Sequence, residues 1–148
     1  MRHLEVTFVV RSILTQRHEK ALAHSVNYRQ AIVLLLEEVH RCAQVRHVLG
    51  WAECEVIEVH TSEDALGMLE ARADVEVLVA DLDAAGGRDG VALSHHVHER
   101  WPGLGLVLTS ACVRHLRPDE VSGNGCFLSH PIPADTLLTE VMGAVDRR

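Results

Sequence analysis

Cysteine, long apolar runs and clustered positive charge are all scarce in this sequence, and each shortage removes a class of protein. The four cysteines Cys42, Cys54, Cys112 and Cys126 never fall in a Cys-x-x-Cys spacing and are too few for a disulfide scaffold. They read as small buried hydrophobes in a reducing compartment. No apolar stretch approaches the roughly 20 residues that span a bilayer. The short β-prone run Val6 to Val10 is not followed by a signal-peptide cleavage region. A cytoplasmic protein that does not enter the membrane is therefore expected. The 14 Lys and Arg residues are scattered against a net charge of -7, which leaves no basic stripe to capture nucleic acid.

What is present is aliphatic and periodic. The chain has 148 residues and is 47% hydrophobic, the size of one domain with a real core. From Ala31 onward, short aliphatic runs alternate with longer segments of helical period, the pattern of a parallel sheet wrapped by helices. In the runs Ala31–Leu36, Cys54–Val59, Val75–Ala80, Leu104–Thr109 and Gly125–Leu128 most residues are apolar on both alternating sets, as in strands covered on both faces. Helical stripes lie between and after them: Val45, Val48, Leu49 and Ala52, then Ala65, Leu66 and Leu69, and finally Leu137, Leu138, Val141 and Val145. Ser62 before Glu63 and Asp64, and Pro133 before the last stripe, mark helix starts. The reading is a doubly wound, five-stranded parallel α/β sheet, (βα)₅, over residues 31–148. Residues 1–30, with a β-prone run Leu4 to Val10, form an extension open to three readings: an added helix, a partner-binding segment or a leader.

In an open parallel sheet, ligands and chemistry collect at the carboxyl ends of the strands. Asp81 closes the third strand, Glu37 and Glu38 the first, Thr109 and Ser110 the fourth, and the fifth runs into His130-Pro131. Carboxylates, a hydroxyl and an imidazole thus converge on one small surface.

Over about Ala31 to Val145 the sequence resembles the receiver domains of two-component response regulators. The resemblance is carried by Val77-Leu78-Val79-Ala80-Asp81-Leu82-Asp83, by Asp89-Gly90-Val91-Ala92-Leu93, and by Glu99-Arg100-Trp101-Pro102-Gly103-Leu104. Leu106-Val107-Leu108-Thr109-Ser110 and Phe127-Leu128-Ser129-His130-Pro131 extend it in the same order and spacing. It implies the flavodoxin-like receiver fold and a stand-alone phosphorelay protein that is not an enzyme in its own right. Asp81 would accept a phosphoryl group from a histidine kinase or phosphotransfer protein. The output would pass through binding to a downstream protein or to a second copy of the chain.

The resemblance also implies Mg²⁺, an ion that prefers oxygen ligands and few protein carboxylates. Its ligands would be Asp81, the acidic pair after the first strand and the backbone carbonyl of Asp83, whose side chain is left for solvent or the attacking water. Counting back without a gap from Asp64-Ala65-Leu66 places Leu36 and Glu37 on the pair. A one-residue shift places Glu37 and Glu38 there, so Glu37 serves under both registers. Thr109 resembles the switch hydroxyl and Phe127 the aromatic that follows it inward.

Two departures stand out. His130 occupies the position of a lysine, replacing a permanent charge with one that depends on pH near neutrality. The loop Ala84-Ala85-Gly86-Gly87 lacks the usual Met-Pro pair. Both favour an alternative, a degenerate pseudo-receiver acting as a phosphorylation-independent interaction module. A metal-dependent phosphatase on the same sheet lacks a second general acid. The cluster His95, His96 and His98 reads as a solvated helix face rather than a metal site, since no cysteine or carboxylate motif accompanies it.

Overall fold

A computed structural model describes residues 11–12, 14–15, 32–85, 88–123 and 125–146, without the side chains of residues 39–42, 88, 89 and 146. The elements are β1 (Ile32–Leu36), α1 (Val39–Gly50), β2 (Glu55–Val59), α2 (Ser62–Ala71), β3 (Val77–Asp81), α3 (Arg88–Arg100), β4 (Gly105–Ser110), β5 (Cys126–Ser129) and α4 (Ala134–Asp146). All four strand pairings are parallel, in the order β2-β1-β3-β4-β5. The expected strands are present, shifted by one or two residues at their ends. Of the extension, Arg11, Ser12, Leu14 and Thr15 are helical, while Leu4–Val10, Ala31, Gly86 and Gly87 lie outside the described residues.

Strand alternation divides the core into two layers. Val33, Leu35, Val77, Val79 and Val107 meet Val48 and Leu49 of α1 and Leu138 and Val141 of α4 on one face. Leu34, Leu36, Leu78, Ala80 and Leu108 meet Ala65 and Leu69 of α2 and Leu93 and Val97 of α3 on the other. Strands buried on both faces explain why β1 and β3 are apolar at nearly every position. Gly105 lets α4 close on the sheet, because a Cβ there would lie 2.9 Å from the Ala144 Cβ.

Local signals correct the expected caps. Thr61, not Ser62, caps α2, its hydroxyl accepting the Asp64 N–H at 3.1 Å. Pro133 precedes the first turn of α4 instead of opening it, and its carbonyl accepts the Leu137 N–H at 3.1 Å.

The larger correction concerns the fourth βα unit. Between β4 and β5 the described residues hold only a 3₁₀ turn, Pro118–Glu120, so the sheet carries four α-helices rather than five. Ser110 Oγ accepts the N–H groups of Cys112 (3.1 Å) and Val113 (2.8 Å), turning the chain where a helix would begin. Pro118 then lacks the N–H that an interior helical position would need.

Candidate functional site

The register of the sheet brings the expected residues to one edge. Asp81 pairs with Thr109 across β3 and β4, and Ser110 with Ser129 across β4 and β5. Leu36 pairs with Ala80, so the next residue, Glu37, stands level with Asp81. Alternation then sends Glu37, Asp81 and Thr109 to the same face as Leu35, Val79 and Val107, beneath α1 and α4.

Each of the three is enclosed. Asp81 is fully buried, Glu37 is 2% exposed and Thr109 is 3% exposed. Glu37 is therefore not one of the solvated acids that open a helix. Its Oε1 accepts the Glu38 N–H at 3.0 Å, and its carbonyl takes a hydrogen bond from His60 Nδ1 at 2.9 Å. Glu38 is half-buried at the N-cap of α1, and its side chain makes no capping bond. The acidic pair is thus split between a buried member facing the sheet edge and a partly solvated one.

Asp83 corrects the sequence reading. Its carboxylate does not point to solvent: Oδ1 accepts the Ser110 hydroxyl at 2.7 Å and Oδ2 accepts the Ala111 N–H at 2.8 Å. Its own N–H donates to Asp81 Oδ1 at 2.9 Å. One residue thus links the loop after β3 to the end of β4 and orients the Asp81 carboxylate. Asp83→Ala is expected to cost about 1–3 kcal/mol, the range for orphaning a buried donor, here the Ser110 hydroxyl. Urea unfolding would show a lower midpoint with an unchanged slope, and an unchanged midpoint would contradict this.

Among the described residues, two buried polar side-chain atoms have no partner. Thr109 Oγ1 and His130 Nε2 are both buried and make no hydrogen bond. The His130 backbone is fixed by donation of its N–H to the Ser110 carbonyl at 2.8 Å, and the His130–Pro131 peptide is cis. Both residues line a cleft of about 820 Å³ between α1 and the β5–α4 connection, together with Glu37. Its apolar wall includes Val45, Val48, Val79, Ile132 and Leu137. Asp81 lies behind that wall, on the strand between those carrying Glu37 and Thr109.

Phe127 does not share this space. It is half-buried and packs against the layer beneath α2 and α3, on the face opposite Thr109. Asp89 has its side chain outside the described residues.

The donor set suits a hard cation. Glu37, Glu38, Asp81 and the Asp83 carbonyl are all oxygen donors, as Mg²⁺ prefers. Among the described residues no three His, Cys, Asp or Glu side chains form a metal-binding cluster.

Other expectations are modified. His95 is not simply solvated, because its Nδ1 lies 2.6 Å from the Ser122 hydroxyl. His98 packs over Gly123 and leaves no room for a Cβ there, and the φ of +54° at that position also favours glycine. His96 is exposed. Cys54 is buried as expected, Cys126 is intermediate, and Cys112 is exposed. These contacts join segments 25 or more residues apart, which local periodicity does not reveal.

No protein-family model matches the chain, and no curated protein matches it. Solved structures do. A response regulator receiver protein from Sinorhizobium medicae aligns with TM-score 0.69 and 20% identity, over 79% of this chain and 94% of that one. The signal receiver domain of a putative LuxO repressor protein from Vibrio parahaemolyticus aligns with TM-score 0.65 and 19% identity, over 81% and 92%. NtrX from Brucella abortus aligns over 81% of this chain but only 27% of its own, with TM-score 0.66 and 20% identity. No described helix is long and apolar enough to cross a membrane. Five parallel strands in the order 2-1-3-4-5, helices on both faces and these structural likenesses give one conclusion: the chain has the fold of a response-regulator receiver domain.

Proposed function

We propose that the chain is a phosphorelay receiver that accepts a phosphoryl group on Asp81 from a histidine kinase or phosphotransfer protein. The observation that carries this reading is the pair of buried, partnerless atoms Thr109 Oγ1 and His130 Nε2, placed on the side of β4 and β5 beyond Asp81. An unsatisfied buried polar group costs about 1–3 kcal/mol, and phosphoryl oxygens would satisfy both. Asp81 Oδ forms the new bond to phosphorus while the bond to the donor imidazole breaks. The Asp83 N–H holds the attacking carboxylate in place. Mg²⁺ held by Asp81, Glu37 or Glu38 and the Asp83 carbonyl would neutralise the phosphoryl oxygens. Thr109 then donates its hydroxyl to the new group, and Phe127 repacks on the opposite face as β4 and β5 adjust. The readout is altered binding to a downstream protein or a second copy. The chain turns over no substrate beyond its own phosphorylation and dephosphorylation, and it acts in the cytoplasm.

The test is intact-mass analysis after incubation with Mg²⁺ and a small phosphodonor. One hydroxylamine-labile phosphoryl group, absent when the metal is chelated, is expected. Its absence with and without metal would sink the proposal.

His130 sets the strength of the response. A hydrogen bond from a charged donor is worth about 1 kcal/mol more than one from a neutral donor, or about five-fold in affinity. His130→Lys is expected to tighten beryllofluoride binding by that factor at neutral pH. Equal affinity in the two proteins would show that the histidine does not limit the switch.

The degenerate-receiver reading is favoured by one observation, the 3₁₀ turn that stands where a helix was expected between β4 and β5. It expects the same fold and the same partner binding whether or not a phosphodonor is present.

A further inference from the structure

The cleft between α1 and the β5–α4 connection carries charge of one sign. Glu37 and Asp135 contribute carboxylates, and no Lys or Arg stands among the described residues that line it. Glu37 is 2% exposed, so a cation drawn to it is shielded from bulk water and attracted more strongly than at an open surface. Thr109 Oγ1 and His130 Nε2, which line the same cleft, are buried and make no hydrogen bond among the described residues. Thr109 as a whole is only 3% exposed. Much of the remaining wall is apolar: Val45 and Val48 on α1, Ile132, and Leu137 in the first turn of α4. A volume of about 820 Å³ is in the range of small-molecule sites, which are mostly apolar with a few convergent polar groups.

We infer that the cleft binds a small amphipathic cation, a primary aliphatic amine in its ammonium form. An ammonium has three N–H donors and no acceptor. The cleft offers acceptors to match: the Glu37 carboxylate, the Thr109 hydroxyl oxygen and, in the tautomer protonated at Nδ1, the lone pair of His130 Nε2. Glu37 keeps the Glu38 N–H on Oε1 while it accepts the cation, because a carboxylate has about four acceptor sites. The aliphatic chain lies on Val45, Val48 and Ile132, and half-buried Asp135 adds negative potential. An aliphatic anion of the same length meets the same wall but is repelled by both carboxylates. Asp81 is fully buried and does not line the cleft, so the amine binds whether or not that residue accepts a phosphoryl group. The amine requires a lone pair at His130 Nε2 where a phosphoryl oxygen would require an N–H, so the two occupants exclude each other.

The experiment is calorimetric titration of the full chain, without divalent metal, with n-butylamine, ethylamine and butyrate at neutral pH. Butylamine is expected to bind saturably and butyrate to give no saturable heat. Two additional buried methylenes, at about four-fold each, give an expected advantage of about fifteen-fold for butylamine over ethylamine. Glu37→Gln removes a charged acceptor and should weaken butylamine about five-fold. Ile132→Ser should bring the ratio between the two amines back toward one. No saturable heat with butylamine, equal affinity for butylamine and butyrate, or an affinity that Glu37→Gln leaves unchanged overturns the inference. If Glu37→Gln does not fold, Ile132→Ser decides, and a ratio that stays near fifteen in that variant overturns it. No phosphodonor enters these titrations, so their failure leaves the phosphoacceptor assignment standing, and loss of that assignment leaves the amine site standing.

Discussion

Asp81→Asn is expected to abolish phosphoryl acceptance while leaving the fold intact. The amide is nearly isosteric, and its Oδ1 can still accept the Asp83 N–H that the carboxylate accepts at 2.9 Å. What disappears is the anionic nucleophile: an amide oxygen attacks phosphorus poorly and is a weaker ligand for a divalent cation. Labelling should therefore fall to background with every donor. Stability should hold or rise, because a fully buried charge is exchanged for a neutral group of the same shape. Parallel mass analysis and thermal unfolding of the two proteins check both halves. Labelling of the asparagine variant at the wild-type rate would place the acceptor elsewhere.

The largest expected effect on stability comes from Leu34→Ala. Leu34 is fully buried in β1, the strand that pairs with both β2 and β3. Its side chain belongs to the layer beneath α2 and α3. Truncation loses the transfer free energy of the removed carbons and leaves a cavity that a two-sided sheet cannot collapse around. The expected cost is about 2–5 kcal/mol, a large share of the roughly 5–15 kcal/mol that holds an ordinary domain folded. Denaturant titration should show the lower midpoint, and a loss well below 1 kcal/mol would mean that β1 is not at the centre of the core.

The centre of the sheet was legible because β1, β3 and β4 are enclosed on both sides. Leu34 and Leu35 are equally apolar although they face opposite layers, a double pattern that a strand with one solvated face does not need. The helix stripes were legible for a related reason: Leu137, Leu138 and Val141 recur at helical spacing and are buried as that spacing requires. Convergence of Glu37, Asp81 and Thr109 followed from strand ends alone, since parallel strands share a carboxyl edge.

What the sequence concealed depends on contacts between distant segments. Val113 and Leu116 stand three apart, as in a helix, but Ser110 Oγ takes the N–H groups of Cys112 and Val113 and no helix forms there. Asp83 reads as a loop acid until β4 brings Ser110 to it across 27 residues. His95 meets Ser122 across the same separation. The cleft beside Asp81 has no sequence signature, because α1, β3 and the start of α4 each contribute only part of its wall.

The central claim is that a phosphoryl group lands on Asp81, and the most direct measurement is to locate it. Borohydride reduces an aspartyl phosphate to homoserine, which marks the position permanently in a peptide map. After labelling with Mg²⁺ and a small phosphodonor, the predicted result is conversion at position 81 alone, lost in Asp81→Asn. Modification at Glu37, at His130 or at no residue would contradict the account.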